Sequence, residues 1–468
     1  MIKHYPMYYG GVKQIYPDVP PGSPIYARSV VVDNLIFLSG MTGQDVETGK
    51  VTSNVLEEQL VVALDKIRMA MEEAGSSMNN IIKTIMLLKD VKDYPRMRKT
   101  ELEYYQKHAP LLVEDPPAST FIQPAAMTNS ACLVEIDAIG VISRDKPGQE
   151  VTFYPEYWSG KKLAGHHVAP GSPKFSRTTV AGNLIFLSGS VGLDKEANKV
   201  VSDVLEEQME IALDGLRMAM EEAGSSMNNI VRTLMLLPDL ELYPRMRKTE
   251  VQYYQKHAPL LVEDPPHSTI IRPGALARPE YLIEIDAVGV VSRDKPGQEV
   301  TFYPDYWGGK KLAYPHVALE APKFARSIVI GNLVFVSGCE GANSETVKIE
   351  TNVFEEQMLI ALDKVRMALE EVGSSMNNIV KTLVLLTNPK DYASMRKLEL
   401  EYYQKHAPLL VEQPPASTVI VEDRMPVDFD KIRANVLGVE SPTTQPPSVE
   451  RPEFWIEIDV TAVVSREK

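Results

Sequence analysis

Acidic residues two positions apart are the first feature of the chain that suggests catalysis. Glu135 and Asp137 lie in an alternating apolar run, and Glu284 and Glu457 stand at the equivalent places in two later runs. Residues two apart on a strand face the same way, so burial of such a pair raises one carboxyl pKa and suits it to act on water. The alternative is a carboxylate bonded to the backbone of a neighbouring segment. We expect that structural role for Asp137, whereas for Glu135 the residues alone leave both open.

Two sets of arginines also recur at matching positions: Arg98, Arg247 and Arg396 in the first set, and Arg28, Arg177 and Arg326 in the second. Guanidinium groups bind carboxylate and phosphate, so both sets are candidates for holding an anionic part of a substrate. For the first set the alternative is a surface helix ion pair, such as Arg98 with Glu101, worth about 0.2–0.5 kcal/mol. For the second set it is a charge that protects an edge strand from aggregation.

Other kinds of chemistry find little support. No zinc-ligand spacing, nucleotide-binding glycine loop or Ser-His-Asp order is present, so we predict no metal site and no cofactor. His108, His257 and His406 recur, but each precedes a proline at a predicted helix end, where a histidine complements the helix dipole. The two cysteines, Cys132 and Cys339, occupy unrelated positions, which argues against a thiol mechanism.

These residues recur because the chain is one unit written three times. The eleven residues from Tyr104 to Glu114 return from Tyr253 to Glu263 and from Tyr402 to Glu412, with a step of 149 residues each time. Segments rich in Pro and Gly punctuate the repeat. We therefore predict three domains, at residues 1–146, 147–295 and 296–468.

The elements of one repeat follow from its apolar periodicity. In the first copy it predicts two strands within 29–39, a helix over 55–74, a strand over 80–88, a helix over 94–108, and strands over 118–123 and 133–143. This ββαβαββ order is typical of an α+β fold with helices on one face of a sheet. The opposite face also needs cover, which predicts three sheets around a common axis, with sheets inside and helices outside.

The third copy contains an insertion before its last strand. A span of 173 residues separates Glu284 from Glu457, whereas 149 separate Glu135 from Glu284. The extra residues, around 427–452, predict a long surface loop of the kind that is often functional. One of three similar clefts would then be capped by it.

The composition limits the kinds of partner that the protein is expected to bind. The formal net charge of −14 opposes phosphate backbones and the basic residues form no stripe, so nucleic acid is not expected. No apolar run approaches the ~18 residues that span a membrane. The amino terminus and cysteine usage indicate a reducing, cytoplasmic setting. We expect a monomeric pseudo-trimer that binds a small molecule.

Several motifs together resemble the RidA (YjgF/YER057c/UK114) family of enamine and imine deaminases. In the first copy they are Ile36 to Gly40, Glu57 to Gln59, Ile82 to Thr84, Pro117 to Thr120 and Val134 to Ile139. The resemblance covers nearly all of each copy. It implies a chorismate mutase-like fold and a homotrimer with a ligand cleft at each subunit interface, here built within one chain.

The resemblance assigns further roles by position. It makes Glu135, Glu284 and Glu457 the residues that position the attacking water. Arg98, Arg247 and Arg396 match a cleft asparagine of the second helix, so that an arginine is gained on the facing wall. Substrate-binding positions are matched by Ser39, Ser188 and Ser337, and by Tyr26, Phe175 and Phe324. The arginine that holds the substrate carboxylate in family deaminases is replaced by Ser119, Ser268 and Ser417.

A hydroxyl does not replace a bidentate guanidinium. The sequence therefore predicts a RidA-like hydrolase of a small imine, enamine or related carbonyl compound other than the usual 2-oxo-acid imines. The competing hypothesis is a non-catalytic binding or scaffold protein of the same fold. A three-unit hydrolase with Ser–Lys pairs, of the cyanuric acid hydrolase and barbiturase type, is a weaker alternative, because Lys83 and Lys381 correspond to Arg232.

Overall fold

The computed structural model describes most of the chain, namely residues 2–9, 12–15, 19, 23, 25–165, 169–172, 174–307, 309–313, 317–321, 323–346, 348–423 and 454–466. The predicted loop at 427–452 lies outside these residues. Within them, the order of elements in each repeat is the predicted one, with an additional strand before it.

The first repeat contains strands β1 (Ile2–Pro6), β2 (Ala27–Val32) and β3 (Leu35–Leu38), helix α1 (Leu56–Glu73), strand β4 (Ile81–Leu88), helix α2 (Tyr94–His108), and strands β5 (Ala118–Ile122) and β6 (Val134–Val141). The second contains β7 (Val151–Pro155), β8 (Ser176–Ala181), β9 (Leu184–Leu187), α3 (Leu205–Glu222), β10 (Ile230–Leu236), α4 (Tyr243–His257), β11 (His267–Ile271) and β12 (Glu284–Val290). The third contains β13 (Val300–Pro304), β14 (Ala325–Ile330), β15 (Leu333–Glu340), α5 (Phe354–Glu371), β16 (Ile379–Leu386), α6 (Tyr392–His406), β17 (Ala416–Val421) and β18 (Ile456–Val463).

Short elements lie between these. The short strands are Tyr8–Tyr9, Val12–Lys13, Met41–Thr42, Tyr157–Trp158, Lys161–Lys162, Ser190–Val191, Leu193–Asp194, Lys199–Val200, Tyr306–Trp307 and Lys310–Lys311. The short helices are Leu111–Glu114, Leu260–Glu263 and Pro408–Glu412, with 3₁₀ turns at Met78–Asn80, Val91–Asp93, Met227–Asn229, Leu240–Leu242, Met376–Asn378 and Pro389–Asp391.

Tight hairpin turns set the register of the first two core strands in each repeat. Asp33 has a φ of 55°, and Gly182 and Gly331 at the same place have φ values of 64° and 58°. Left-handed backbone at this position matches the twist of a two-residue hairpin and favours Gly, Asn or Asp. In the first repeat the turn pairs Ser29 with Leu38.

The main strands of all three repeats belong to one sheet of 20 strands, to which each repeat contributes a section with the same pairing order. In the first, β4 pairs in parallel with β5 and antiparallel with β6, and β6 also pairs antiparallel with β3. Its helices α1 and α2 cover one face, where Leu64 and Met86 belong to one apolar cluster. Equivalent clusters occur in the second and third repeats.

The three repeats associate in a ring. Strand β5 pairs with β8 at Ala118 and Ser176, and β17 pairs with β2 at Ala416 and Ala27. The second repeat reaches the third through the Ala325 amide, which donates to the carbonyl of Pro266 at 3.1 Å. The inner sheet faces share two apolar clusters to which all three repeats contribute. Sheets therefore lie inside and helices outside, as predicted.

A layer of buried charges lies between the two central clusters. Lys83 stands on β4 between Ile82 of one cluster and Ile85 of the other, and it forms an ion pair with Asp286 of the second repeat. Lys381 pairs with Asp137 in the same way. Asp137 therefore has a structural role at the interface, as predicted, but its partners are the side chains of Lys381 and Thr418 and not a neighbouring backbone. The lysines of the Ser–Lys alternative serve the interface between repeats.

The third inter-repeat pair differs in composition. Arg232 lies 3.2 Å from Asp459, and His267 contacts the same carboxylate at 3.2 Å. His267 stands where the other repeats have Ala118 and Ala416.

Among the described residues, none of the helices has the length and apolar character that crossing a membrane requires.

Candidate functional site

Each catalytic candidate lies on the last strand of its repeat, against a glycine of the short segment after the first hairpin. A Cβ atom built on Gly40 would lie 1.9 Å from Oε1 of Glu135. Gly189 stands 1.9 Å from Glu284 by the same construction, and Gly338 stands 1.6 Å from Glu457. Only glycine admits the carboxyl group at this position, so the glycine and the glutamate form one structural unit in each repeat.

The neighbouring repeat supplies the opposite wall of each cleft. There, the first-set arginines reach from the second helix to the serines of the adjacent strand, and all three are 2% exposed or less. Arg98 donates to Glu101 at 2.8 Å and to the Ser119 hydroxyl at 3.1 Å. The same contacts join Arg247 to Glu250 and Ser268, and Arg396 to Glu399 and Ser417.

Two expectations about these arginines are wrong. Arg98 is not a surface residue, although the predicted pairing with Glu101 is present. It also does not face the serine from the opposite wall, because both belong to the same repeat and are hydrogen-bonded. The aromatic ring of Tyr94 also packs against Arg98, with its centroid 5.1 Å from the guanidinium carbon. Burial opposes its charge, but Tyr94 and Glu101 outweigh that effect and raise the pKa of Arg98.

The first predicted serine set binds main chain. Ser39 donates its hydroxyl to the carbonyl of Ala27 at 2.6 Å and accepts from the Ser417 amide at 2.8 Å. Ser188 and Ser337 repeat both contacts, to the Ser119 and Ser268 amides. These hydroxyls fasten neighbouring repeats together, and their contact with substrate stays a prediction.

The ring of repeats therefore creates three clefts. The 3–1 cleft joins Arg396 and Ser417 to Glu135, the 1–2 cleft joins Arg98 and Ser119 to Glu284, and the 2–3 cleft joins Arg247 and Ser268 to Glu457. Each cleft contains a glutamate and a glycine from one repeat and an arginine–serine pair from the other.

The 3–1 cleft has a volume of about 570 Å³, including the part open to solvent. Glu135, Arg396, Ser417 and Tyr26 all line it, so the structure brings these predicted residues together. The Arg396 guanidinium carbon lies 5.3 Å from the Tyr26 ring. A cation over an aromatic face is attracted by the ring quadrupole, and this contact spans the two repeats.

The Glu135 carboxyl is poised for proton transfer. Burial, followed by the nearby charge of Asp137, raises its pKa to about 7, against the opposing effects of Lys66, Lys381 and Arg396. A carboxyl with such a pKa exists in both forms near neutral pH. It can therefore accept a proton from water and return it.

The other two glutamates are shifted in the same direction. Burial and the charge of Asp286 raise the pKa of Glu284 to about 8, opposed by Lys83 and the Phe121 amide. Burial, with Glu422 and other acids nearby, raises the pKa of Glu457 well above its usual value. The predicted effect of a buried acidic pair is thus present in all three clefts.

The second arginine set lies on internal strands and not at a sheet edge. Arg28 is on β2, which pairs with both β1 and β3, and it contacts Glu73 at 3.3 Å. Arg177 pairs with Glu156 and Glu222, and Arg326 with Asp305 and Glu371. Arg326 lines a cavity beside Phe324, Ser337 and Gly338 whose volume is about 510 Å³, including the part open to solvent. Phe175, at the position of Tyr26, is half-buried.

The recurrent histidines and the two cysteines are packed into the structure, although Cys339 also lines the cavity beside Arg326. His108 packs its ring against Tyr104, with centroids 4.4 Å apart, in the last turn of α2. Both cysteines are buried thiols, and burial raises the pKa of Cys132 to about 11. Among the residues that the structure describes, no group of His, Cys, Asp and Glu is arranged to hold a metal ion.

Lys66 is a cleft residue that the sequence interpretation missed. It lies on α1, lines the 3–1 cleft with Glu135, and donates to the carbonyls of Thr42 at 2.9 Å and Gln44 at 3.2 Å. Comparison of the copies offered a signal, because Lys66 corresponds to Gly215 and Lys364. A position that varies among otherwise similar repeats marks a difference between their clefts.

The family-model comparison agrees with the three-repeat architecture. A family model described as Endoribonuclease L-PSP matches residues 20–142, 167–291 and 317–430, one match in each repeat. A RutC family protein of Pyrococcus abyssi is 30% identical over 114 residues, which is 24% of this chain and 84% of that protein. The human 2-iminobutanoate/2-iminopropanoate deaminase is 28% identical over 116 residues, or 25% of this chain and 79% of that protein. A solved chorismatase structure aligns over 82% of this chain and 93% of its own, with 11% identity and a TM-score of 0.47.

Proposed function

The chain belongs to the Endoribonuclease L-PSP family, with three tandem RidA domains, and from that premise we propose that it hydrolyses a small imine or enamine in the clefts between its repeats. The observation that carries the proposal is the buried Glu135 carboxyl, with its pKa of about 7, facing Arg396 and Ser417 across the 3–1 cleft. The name of the human relative supports this class of reaction.

The reaction needs one water molecule. Glu135 accepts a proton from that water as the oxygen bonds to the imine carbon, and it returns the proton to the nitrogen, which gives a carbinolamine. Glu135 then carries the hydroxyl proton to the nitrogen as the C–N bond breaks, so that ammonia leaves and a carbonyl product remains. An enamine is first protonated at carbon and deprotonated at nitrogen to reach the imine. General acid–base catalysis of this kind contributes typically 10²- to 10⁴-fold in rate.

The wall formed by Arg396 and Ser417 orients polar atoms of the substrate. Because Glu399 already occupies one edge of the Arg396 guanidinium at 2.7 Å, the arginine brings no net charge to the cleft. The wall therefore does not by itself select a carboxylate, which accords with the loss of the strand arginine at Ser417.

Hydrolysis of freshly generated imines tests the proposal. We expect the full chain to accelerate the disappearance of 2-iminopropionate or of an uncharged imine of similar size. The variant with Glu135→Gln, Glu284→Gln and Glu457→Gln should lose that acceleration by roughly 10²-fold or more, with its circular dichroism spectrum unchanged. Equal turnover in the parent and the variant would contradict the proposed role of the glutamates.

A non-catalytic binding protein is the second candidate. It is favoured by the internal pairing of Arg98, Arg247 and Arg396 and by the main-chain contacts of Ser39, which leave fewer groups for substrate. No turnover of either imine by the parent, together with saturable binding of the carbonyl products, would support this candidate.

A further inference from the structure

One position on the first helix distinguishes the three clefts. The repeats carry Lys66, Gly215 and Lys364 there. Lys66 lines the 3–1 cleft, and Lys364 lines a cavity of the third repeat beside Gly338, the glycine that packs against Glu457. In the 1–2 cleft a side chain at Gly215 is obstructed, because a Cβ atom would lie 2.4 Å from the Ser190 hydroxyl.

The two lysines have different partners. The Lys66 ammonium donates to two neutral carbonyl oxygens, those of Thr42 and Gln44. Three N–H groups are available on an ammonium, so one remains for another acceptor. Among the described residues, no carboxylate lies within 4.0 Å of its nitrogen. Lys364 instead forms an ion pair with Glu340 at 2.8 Å, and Glu340 stands where the first repeat has Thr42.

Within the described part of the chain, Lys66 has no carboxylate partner in direct contact, although other charged groups line the 3–1 cleft. Arg396 is paired with Glu399 at 2.7 Å, and Asp45 and Glu135, which also line the cleft, act on the ammonium only from a distance. In the third repeat the equivalent cation is paired with Glu340, whereas in the second repeat it is absent. The three clefts therefore present three different electrostatic surfaces to a ligand.

We propose that Lys66 makes the 3–1 cleft selective for a small ligand that carries a carboxylate, while the 1–2 and 2–3 clefts accept uncharged ligands. This inference rests on the proposed function, for which it names the substrate class of each cleft. Serine at positions 119, 268 and 417 led to the expectation that the usual 2-oxo-acid imines are not substrates. Under this inference, loss of the strand arginine excludes carboxylate recognition only in a cleft where no other cation replaces it.

Binding of pyruvate, the anionic product of 2-iminopropionate hydrolysis, provides the test. The full chain should bind one equivalent of pyruvate, measured by calorimetry or by broadening of its methyl NMR signal. Lys66→Met keeps the aliphatic stem and removes the charge, so the Kd should rise roughly 10- to 100-fold, the range for a hydrogen bond to a charged group. Lys364→Met is the matched control and should retain the parent affinity.

Two further substitutions give one repeat the residue that another repeat has at the equivalent position. Thr42→Glu gives Lys66 the partner that Lys364 has, and should weaken pyruvate binding as much as Lys66→Met. Glu340→Thr removes that partner from Lys364, and should raise the stoichiometry from one pyruvate to two. Acetone, uncharged and similar in size, should bind all of these variants and the parent alike.

The outcomes separate this inference from the proposed function. An unchanged Kd in Lys66→Met, or equal losses in Lys66→Met and Lys364→Met, would overturn the inference even where imine hydrolysis is observed. Pyruvate binding that depends on Lys66, without turnover of any imine, would uphold the inference and refute the hydrolase. Failure of the parent to bind pyruvate would overturn the inference alone.

Discussion

A single methyl group at Gly40 should disable one cleft without unfolding the protein. In Gly40→Ala the new Cβ atom would lie 1.9 Å from Oε1 of Glu135, and 2.9 Å from its carboxyl carbon. Contacts under 3.0 Å are essentially never made by Cβ atoms, so the carboxyl group must withdraw by about 1 Å or more. The φ of Gly40 is not positive, and alanine therefore adds no backbone strain.

The size of the effect follows from this displacement. Misplacement of a catalytic group by about 1 Å can cost on the order of 10²-fold in rate. The cost in stability should be near the lower end of the ~1–3 kcal/mol typical of overpacking, because the obstructing atoms belong to the end of a flexible side chain. Catalysis and folding are thus expected to separate.

The assay should isolate the cleft that contains Glu135. In a background with Glu284→Gln and Glu457→Gln, only the 3–1 cleft retains its carboxyl group, and kcat/KM for imine hydrolysis should fall about 100-fold on addition of Gly40→Ala. The matched control is Gly75→Ala. Gly75 has a φ of +81° and no atom within 4 Å of its built Cβ, so alanine there should cost roughly 1–2 kcal/mol of stability with turnover retained.

Two results would refute this reasoning. Unchanged kcat/KM in Gly40→Ala would show that the position of the Glu135 carboxyl is not important for the reaction. Equal losses in Gly40→Ala and Gly75→Ala would attribute both to general destabilisation.

Two further predictions concern the same cleft. Because the unfolded pKa of Glu135 is near 4.5 and its folded pKa is about 7, the folded state binds more protons between these values, and stability contributed by this group falls as pH rises from about 4.5 to 7. The free energy of unfolding gained by Glu135→Gln, relative to the parent, should therefore be about 3 kcal/mol larger at pH 8 than at pH 4.5, as measured by urea unfolding. A gain that does not depend on pH would contradict the pKa shift. Ser417→Arg should destabilise the chain by roughly 3–5 kcal/mol, because its guanidinium would meet Arg396, 3.0 Å from the Ser417 hydroxyl, and adding Arg396→Asn should restore much of that loss; no recovery in the double variant would contradict this explanation.

Local patterns were sufficient to predict the elements of a repeat. The helix from Tyr94 to His108 has the predicted limits, since its apolar spacing and the following Pro110 are both local signals. The two faces of the last strand alternate as a strand requires. Val134 and Ile136 pack under the helices, whereas Val141 belongs to the central cluster.

The composition of a cleft depends on contacts that no local pattern records. Ser39 accepts a hydrogen bond from an amide 378 residues away, and only the closed ring brings these groups together. The burial of Arg98 was missed for a related reason. The inner face of α2 holds Arg98, Thr100 and Glu101, so apolar periodicity gives little indication of which polar residues are turned inward.

Fusion of three repeats permits differences that identical separate chains exclude. In three copies of one chain, a glutamate at the position of Thr42 would balance the lysine in every cleft, whereas here only Lys364 is balanced, by Glu340. The inter-repeat contacts have diverged as well, since His267 replaces an alanine where the second repeat meets the third, and it bonds the carbonyl of Val336 at 3.0 Å. An alanine at 267 would remove that bond and the contact with Asp459 at 3.2 Å. These two differences among the repeats thus concern a charge beside a cleft and a contact where one repeat meets the next, and both give the clefts and their walls different chemistry.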